Sequence, residues 1–176
     1  SEIETQRLNN LVMGKLVQNP TYIAAAFAKK IAAPFYAKYT EGMFYGKHVD
    51  DPIMGPPNQR YRTDISITIF LNEPEDYDGG ELVIRTSFGS KAVKLAAGSL
   101  VVYPSSSLHH VTPVTRGERL VALAWVQSHV RDPARRELLY ELNQAREHLL
   151  ATAPEEAATG LVDKSFANLV RMWSDV

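Results

Sequence analysis

The chain has no cysteine. Disulfides and thiolate metal sites are thereby excluded, and any bound metal must be held by histidine and carboxylate. An excess of one charge is also lacking: 19 Lys and Arg stand against 20 Asp and Glu, a formal net charge of −1. No basic surface argues for nucleic acid or an anionic membrane, so neither is expected as a partner. No hydrophobic run approaches the length of a membrane span. No signal-like segment follows Ser1, which reads as the start of a processed or truncated chain, with the cytoplasm as the default location. Internal repeats and low-complexity runs are missing as well. What remains is 176 residues, 45% hydrophobic and 22% charged, the make-up of one globular domain with a small appendage.

Three regions succeed one another. From about Ile3 to Lys38 the pattern is helical and alanine-rich, with Ile23, Ala26, Phe27 and Ile31 at helical spacing. Asn19-Pro20-Thr21 is a helix start, and Pro34 ends or kinks the helical run. From Tyr39 to Ser128 the pattern is β. Ile65, Ile67, Ile69 and Leu71 alternate with Ser66, Thr68 and Phe70, and further short strands are separated by turns at Asp78-Gly79-Gly80, Phe88-Gly89-Ser90, Ala97-Gly98 and Thr115-Arg116-Gly117-Glu118. Many short strands predict a sandwich or barrel. From Asp132 the helical pattern returns, with Asp132-Pro133 as cap and first residue and an apolar stripe at Leu138, Leu142, Ala145 and Leu149. Residues 151–160 read as a linker, and Asp163 to Trp173 as a last helix burying Phe166, Leu169, Val170 and Trp173. The whole is α+β.

The chemistry concentrates at His48-Val49-Asp50. Residues two apart on a strand point to one side, so His48 and Asp50 project together. Alone, such a pair is far more often an exposed or hydrogen-bonded couple than a metal site. His109 lies at the end of a strand-rich stretch that can fold back onto the pair. Two histidines and one carboxylate form the ligand set of non-haem Fe(II) oxygenases, which leaves coordination positions open. Arg119, ten residues beyond His109 and joined to it through a turn, would then lie on the adjacent strand, where its guanidinium can grip a carboxylate. Its bland alternative is a surface ion pair with a neighbour such as Glu118.

Several ordered motifs together resemble one family. Tyr45-Gly46-Lys47-His48-Val49-Asp50, Arg62-Thr63-Asp64-Ile65-Ser66, Asp76-Tyr77-Asp78-Gly79-Gly80-Glu81-Leu82, Ser105-Ser106-Ser107-Leu108-His109 and Pro113-Val114-Thr115-Arg116-Gly117-Glu118-Arg119 are similar to the bacterial PKHD-type hydroxylases. These are Fe(II)- and 2-oxoglutarate-dependent oxygenases related to prolyl and lysyl hydroxylases, some of them associated with iron uptake. The resemblance runs from about Lys30 to Ser128 and resumes at Asn168 to Trp173. It implies a double-stranded β-helix, or jelly roll, with flanking helices: an N-terminal helical segment over 1–29, missing part of the family's N-terminal chain, a dioxygenase domain over 30–129 and a helical extension over 130–176. It implies Fe(II) on His48, Asp50 and His109, the cosubstrate 2-oxoglutarate on Arg119, O₂ as the oxidant and L-ascorbate as reductant. His110 departs from the family pattern, where a basic residue of another kind is common. The motif alignment favours His109 as the ligand and leaves His110 facing outward or behind the site.

Other residues carry paired readings. Tyr45 meets substrate only if a bulge at Gly46 turns it inward; otherwise it is a buried aromatic. Tyr103 closes a strand near His109 and is either a cosubstrate contact or core. Thr68 either hydrogen-bonds 2-oxoglutarate or is exposed. Trp125 shares a strand face with Arg119 and reads first as core. The loop from Asp51 to Gln59, rich in proline and carrying Met54, is expected to lack regular structure and to border the substrate entrance. Arg135, Arg136, Glu137, Glu141 and Glu147 are expected on solvated helix faces, which can also pack a second copy of the chain. Three functions compete: an oxygenase hydroxylating an aliphatic carbon of a protein or small-molecule substrate, a metal-dependent hydrolase or isomerase on a cupin-like scaffold with no need of Arg119, and an iron-sensing module that consumes no 2-oxoglutarate.

Overall fold

The computed structural model describes residues 2–176. Two helices come first, α1 (Glu2–Gln18) and α2 (Pro20–Ala26). Asn19 separates them: its side chain accepts from the Tyr22 N–H at 2.9 Å, and Pro20 takes the first helical position, where no N–H is needed. α2 stops because Phe27 turns into left-handed backbone, φ 45°. The chain then extends into β1 (Ala28–Ile31) and, past Pro34, β2 (Phe35–Tyr39). The helical reading up to Lys38 is thus corrected beyond Ala26. Both short strands lie along one edge of the long strand β13 (Arg119–Ser128), with Ala28 opposite Ser128 and Tyr39 opposite Arg119. That edge supplies their backbone hydrogen bonds, a partnership that no local pattern reports.

The other edge of β13 pairs with β6 (Ile65–Phe70), which pairs with β10 (Leu100–Pro104). A second sheet runs in the order β3 (Tyr45–His48), β11 (His109–Val111), β8 (Leu82–Thr86), β9 (Gly89–Val93). Every pairing is antiparallel. Tyr39, Phe70, Tyr103 and Val121 of the first sheet pack with Leu82, Ile84, Val93 and Val111 of the second. This is the jelly-roll sandwich, with helices on its outer face. β4 (Ile53–Met54) pairs with β5 (Tyr61–Arg62), so the proline-rich loop holds a small hairpin and a 3-10 turn at Pro57–Gln59 rather than irregular chain alone. β7 (Tyr77–Gly79) and β12 (Val114–Gly117) pair with each other where turns were expected. Gly79 makes that pairing possible: at φ 70° an added Cβ would sit 2.0 Å from the Pro113 carbonyl oxygen.

β6 explains where the site can form. All six of its residues are buried. Ile65, Ile67 and Ile69 pack with Leu16, Tyr22 and Ala26 of the helices. The alternate residues Ser66, Thr68 and Phe70 face the space between the sheets. The polar half of the alternation is therefore turned into the sandwich, and Thr68 is 1% exposed where an outward threonine was one expectation.

Two helices close the chain, α3 (Pro133–Thr152), capped by Asp132 as expected, and α4 (Ala157–Trp173). The expected linker shrinks to residues 153–156, and Phe166, Leu169, Val170 and Trp173 are only half-buried. The inward face of α3 is also corrected: Leu138 is 50% exposed, while Leu139 and Arg136 are buried. Arg136 donates to the carbonyls of Val130 (2.7 Å), Arg131 (2.8 Å) and Asp64 (3.4 Å), binding α3 to the end of β13 and the start of β6. Burial pushes its pKa down, and the Asp64 and Asp132 charges oppose that shift. Arg136→Ala is expected to lower stability in urea unfolding by about 2 kcal/mol, because charge-assisted bonds are lost and buried carbonyls left unpaired. A change too small to resolve would show that this tether is not energetic.

Candidate active site

β3 and β11 are neighbours in register, His48 opposite His109. Their rings lie 4.2 Å apart, centroid to centroid. Each ring is held from behind. His48 Nδ1 is 2.9 Å from the Gly46 carbonyl, and His109 Nδ1 is 2.9 Å from the Ser107 carbonyl. A carbonyl only accepts, so each Nδ1 carries a proton, and Nε2 is the nitrogen left to bind a metal. Both Nε2 atoms point to one oxygen, Asp50 Oδ1, at 3.5 Å from His48 and 3.8 Å from His109. Those separations are too long for hydrogen bonds. These three residues offer donor atoms within 4.8 Å of one another and could hold a metal ion, the one such group among the described residues.

Asp50 lies just beyond β3 and is reached from the other sheet. Its N–H donates to the Ser105 carbonyl at 3.3 Å, and its second oxygen, Oδ2, accepts from the Ser66 hydroxyl. Ser66 and Ser105 are both 2% exposed, and their hydroxyls are 2.7 Å apart. Sequence reasoning missed both serines. Only register shows that Ser66 on β6 and Ser105 at the end of β10 converge on one carboxylate.

Arg119 occupies the same cavity. It does not lie on the strand next to His109, as the spacing had suggested. β11 belongs to one sheet and β13 to the other, so the arginine reaches in from across the sandwich. Nor does it pair with Glu118, which binds Lys38 at 2.5 Å. The guanidinium is 1% exposed, 5.0 Å from the Tyr39 ring centre and 5.8 Å from that of Phe70. Its Nε and Nη1 are buried without hydrogen-bond partners, and so is the nearby Tyr77 hydroxyl. Burial pushes the arginine pKa down, with Tyr39, Tyr77 and Tyr103 opposing, yet arginine stays charged. A buried cation with unpaired donors calls for an anion, and a planar fork suits a carboxylate. Gly80 leaves the room: at φ 66° an added Cβ would lie 3.0 Å from Arg119 Cδ and 3.1 Å from the Tyr77 ring.

The cavity between these two ends measures about 160 Å³. Tyr45 lines it, and the reason is a bulge: Tyr45 pairs with Val111 while His48 pairs with His109, so β3 carries one extra residue around Gly46. The Tyr45 ring stands edge-on to His48 at 4.5 Å. Tyr103 is buried against His109, ring centres 5.1 Å apart, and burial together with the Asp50 charge raises its pKa well above the usual phenol range. Thr68 and Trp125 also face the cavity, so Trp125 is more than core. His110 sits half-buried on the other face of β11, opposite Val83. Met54 lies in the β4–β5 hairpin opposite Tyr61 and is not among the residues lining this cavity.

A family model described as the 2OG-Fe(II) oxygenase superfamily matches residues 34–127. A PKHD-type hydroxylase of Thioalkalivibrio sulfidiphilus is 54% identical over 176 residues, covering 100% of this chain and 79% of that protein. A PKHD-type hydroxylase of Shewanella sp. strain MR-7 is 44% identical over 170 residues, covering 97% of this chain and 76% of its own. Among solved structures, a Pseudomonas putida prolyl-4-hydroxylase is similar at a TM-score of 0.48 and 29% identity, over 66% of this chain and 63% of that one.

Proposed function

Because the chain belongs to the 2OG-Fe(II) oxygenase superfamily, with PKHD-type hydroxylases as its relatives, we propose that His48, Asp50 and His109 hold its iron and that Arg119 holds the far carboxylate of 2-oxoglutarate. It is a 2-oxoglutarate-dependent hydroxylase. The observation that carries the residue assignment is a single cavity with a His–Asp–His cluster at one end and a buried guanidinium with unpartnered Nε and Nη1 at the other. Both ends fit their groups. Two imidazoles and a carboxylate suit Fe(II), and the unpaired Nε and Nη1 suit a carboxylate.

Bound iron and 2-oxoglutarate supply the activation of O₂, with one oxygen atom entering succinate as CO₂ leaves and the other entering a substrate C–H bond. The chain's part is placement. The Gly46 and Ser107 carbonyls fix both imidazoles in the ligating tautomer. Arg119, among the rings of Tyr39, Phe70 and Tyr77, fixes the cosubstrate's direction, and Tyr103 and Thr68 border its path. Tyr45 and Trp125 stand at the partly exposed side, where an aliphatic carbon of a peptidyl prolyl or lysyl residue, or of a small molecule, would approach. L-Ascorbate serves as reductant by likeness to the family, and the exposed Leu138, Leu161 and Met172 support self-association through α3 and α4.

The test is anaerobic titration of the purified chain with Fe(II) and 2-oxoglutarate, followed by air. A weak visible charge-transfer band and then succinate are expected. Iron binding with no succinate would favour the sensing module, and succinate formation unaffected by loss of Arg119 would remove that residue's role.

A further inference from the structure

The three residues of the metal cluster are held in two different ways, the histidines by one sheet and the carboxylate by contacts from the other. His48 and His109 are adjacent on the β3–β11 sheet, and their geometry is set by strand pairing. Asp50 lies beyond the paired part of β3, and no register fixes its side chain. Its contacts come from the opposite sheet: the Ser105 carbonyl for its N–H and the Ser66 hydroxyl for Oδ2. A hydroxyl has one proton. Ser66 gives that proton to the carboxylate, so the 2.7 Å contact between hydroxyls must be donated by Ser105. The direction of the chain is thus Ser105 to Ser66 to Asp50, ending on a charged acceptor, where hydrogen bonds are short and strong. The consequence is orientation. With Oδ2 engaged, only Oδ1 is free, and Oδ1 is the oxygen that both Nε2 atoms face.

We propose that Ser66 and Ser105 are positioning residues for the metal centre, holding Asp50 as a one-oxygen ligand so that its second oxygen does not occupy a coordination position that cosubstrate or O₂ requires. The inference rests on the assignment of His48, Asp50 and His109 as ligands. Both serines act through Asp50, Ser66 directly and the Ser105 hydroxyl by way of Ser66. Ser105 has a second hold on Asp50 through its backbone, which side-chain substitution leaves in place. Ser66 therefore carries the larger effect.

The experiment measures Mn²⁺ and Co²⁺ affinity of the whole chain by quenching of tryptophan fluorescence, Trp125 lining the cavity, and records the visible spectrum of the Co²⁺ form. Loss of a hydrogen-bond partner behind a metal ligand typically weakens binding by about 10–100-fold, and Ser66→Ala is expected in that range. Ser105→Ala should weaken binding several-fold, and Ser66→Thr, which keeps the hydroxyl, should recover most of the loss. The Co²⁺ spectrum of Ser66→Ala should shift as the freed carboxylate takes two positions. Wild-type affinity and spectrum in a folded Ser66→Ala variant would overturn the proposal. If Ser66→Ala does not fold, Ser105→Ala decides alone: unchanged affinity and spectrum there overturn it, and a weakened metal site in a chain of unaltered metal-free melting temperature sustains it. A wild-type chain that binds neither metal would instead overturn the ligand assignment on which the inference rests.

Discussion

Asp50→Asn is expected to end 2-oxoglutarate turnover while leaving the metal-free protein folded. Asparagine is close in size to aspartate, and its amide oxygen can still accept from the Ser66 hydroxyl, so the clamp between the sheets survives. What disappears is the carboxylate charge facing the two imidazoles. Metal affinity should fall by more than the roughly 10–100-fold that accompanies loss of a partner behind a ligand, because here the ligand itself is removed. The difference is readable without activity. A ligand that binds only the folded state stabilises it by about 2.7 kcal/mol at 100 times its Kd. Unfolding of the wild type in Mn²⁺ at that excess should show this gain, and Asp50→Asn should show none. Equal stabilisation of both proteins would mean that the cation binds elsewhere.

This behaviour comes from how the cluster is built, and the same construction explains what the sequence could disclose. His48 and Asp50 were legible as neighbours because they are two residues apart, although Asp50 lies beyond the strand on which that spacing had placed it. His109 was legible as a partner because one strand-rich segment had to return to the first. The serines were not. A serine is an ordinary residue in a strand, and its place beside Asp50 exists only once β6, β10 and the end of β3 have met. The same limit applies to Arg119. Its identity was readable, but its placement on the adjacent strand was not correct, since the turn after His109 leads through β12 and crosses to the other sheet. Gly80 read as part of a turn, and its second property, the room it leaves for the arginine, depends on Arg119 arriving from that far side.

The fold shows the same division. β6 was read correctly because a period of two is written in six consecutive residues. β1 and β2 were lost in a helical pattern because alanine is a good helix former and their strand character comes from the edge of β13. On α3 the leucines mark a stripe one residue away from the buried face, because the residue turned inward there is Arg136, whose charge is satisfied by carbonyls at the end of β13. Sequence patterns locate apolar faces well. They do not anticipate a cation that is buried because backbone oxygens converge on it.

Arg119 is buried for the opposite reason, and its replacement should separate binding from stability. Arg136 has its acceptors, whereas Nε and Nη1 of Arg119 have none among the described residues. A buried charge without a partner is destabilising, and exchanging it for an apolar side chain of similar length is commonly neutral or favourable. Arg119→Met should therefore leave the cosubstrate-free protein at least as stable as wild type in urea unfolding. The same change removes the charge-assisted bonds offered to 2-oxoglutarate, and at roughly 1.5–3 kcal/mol for such a bond the KM for 2-oxoglutarate should rise about 100-fold, with metal affinity unchanged. Gly80→Ala probes the same pocket from behind. Its Cβ would press on Arg119 Cδ at 3.0 Å and on Val114 at 3.1 Å, at a φ of 66° that favours glycine, so the guanidinium must shift. Its KM should rise as well, but at a cost in stability of about 1–2 kcal/mol from the backbone. Both variants raise KM, and only Gly80→Ala lowers stability. An Arg119→Met protein that is destabilised yet retains wild-type KM would show that the guanidinium supports the sandwich and does not hold the cosubstrate.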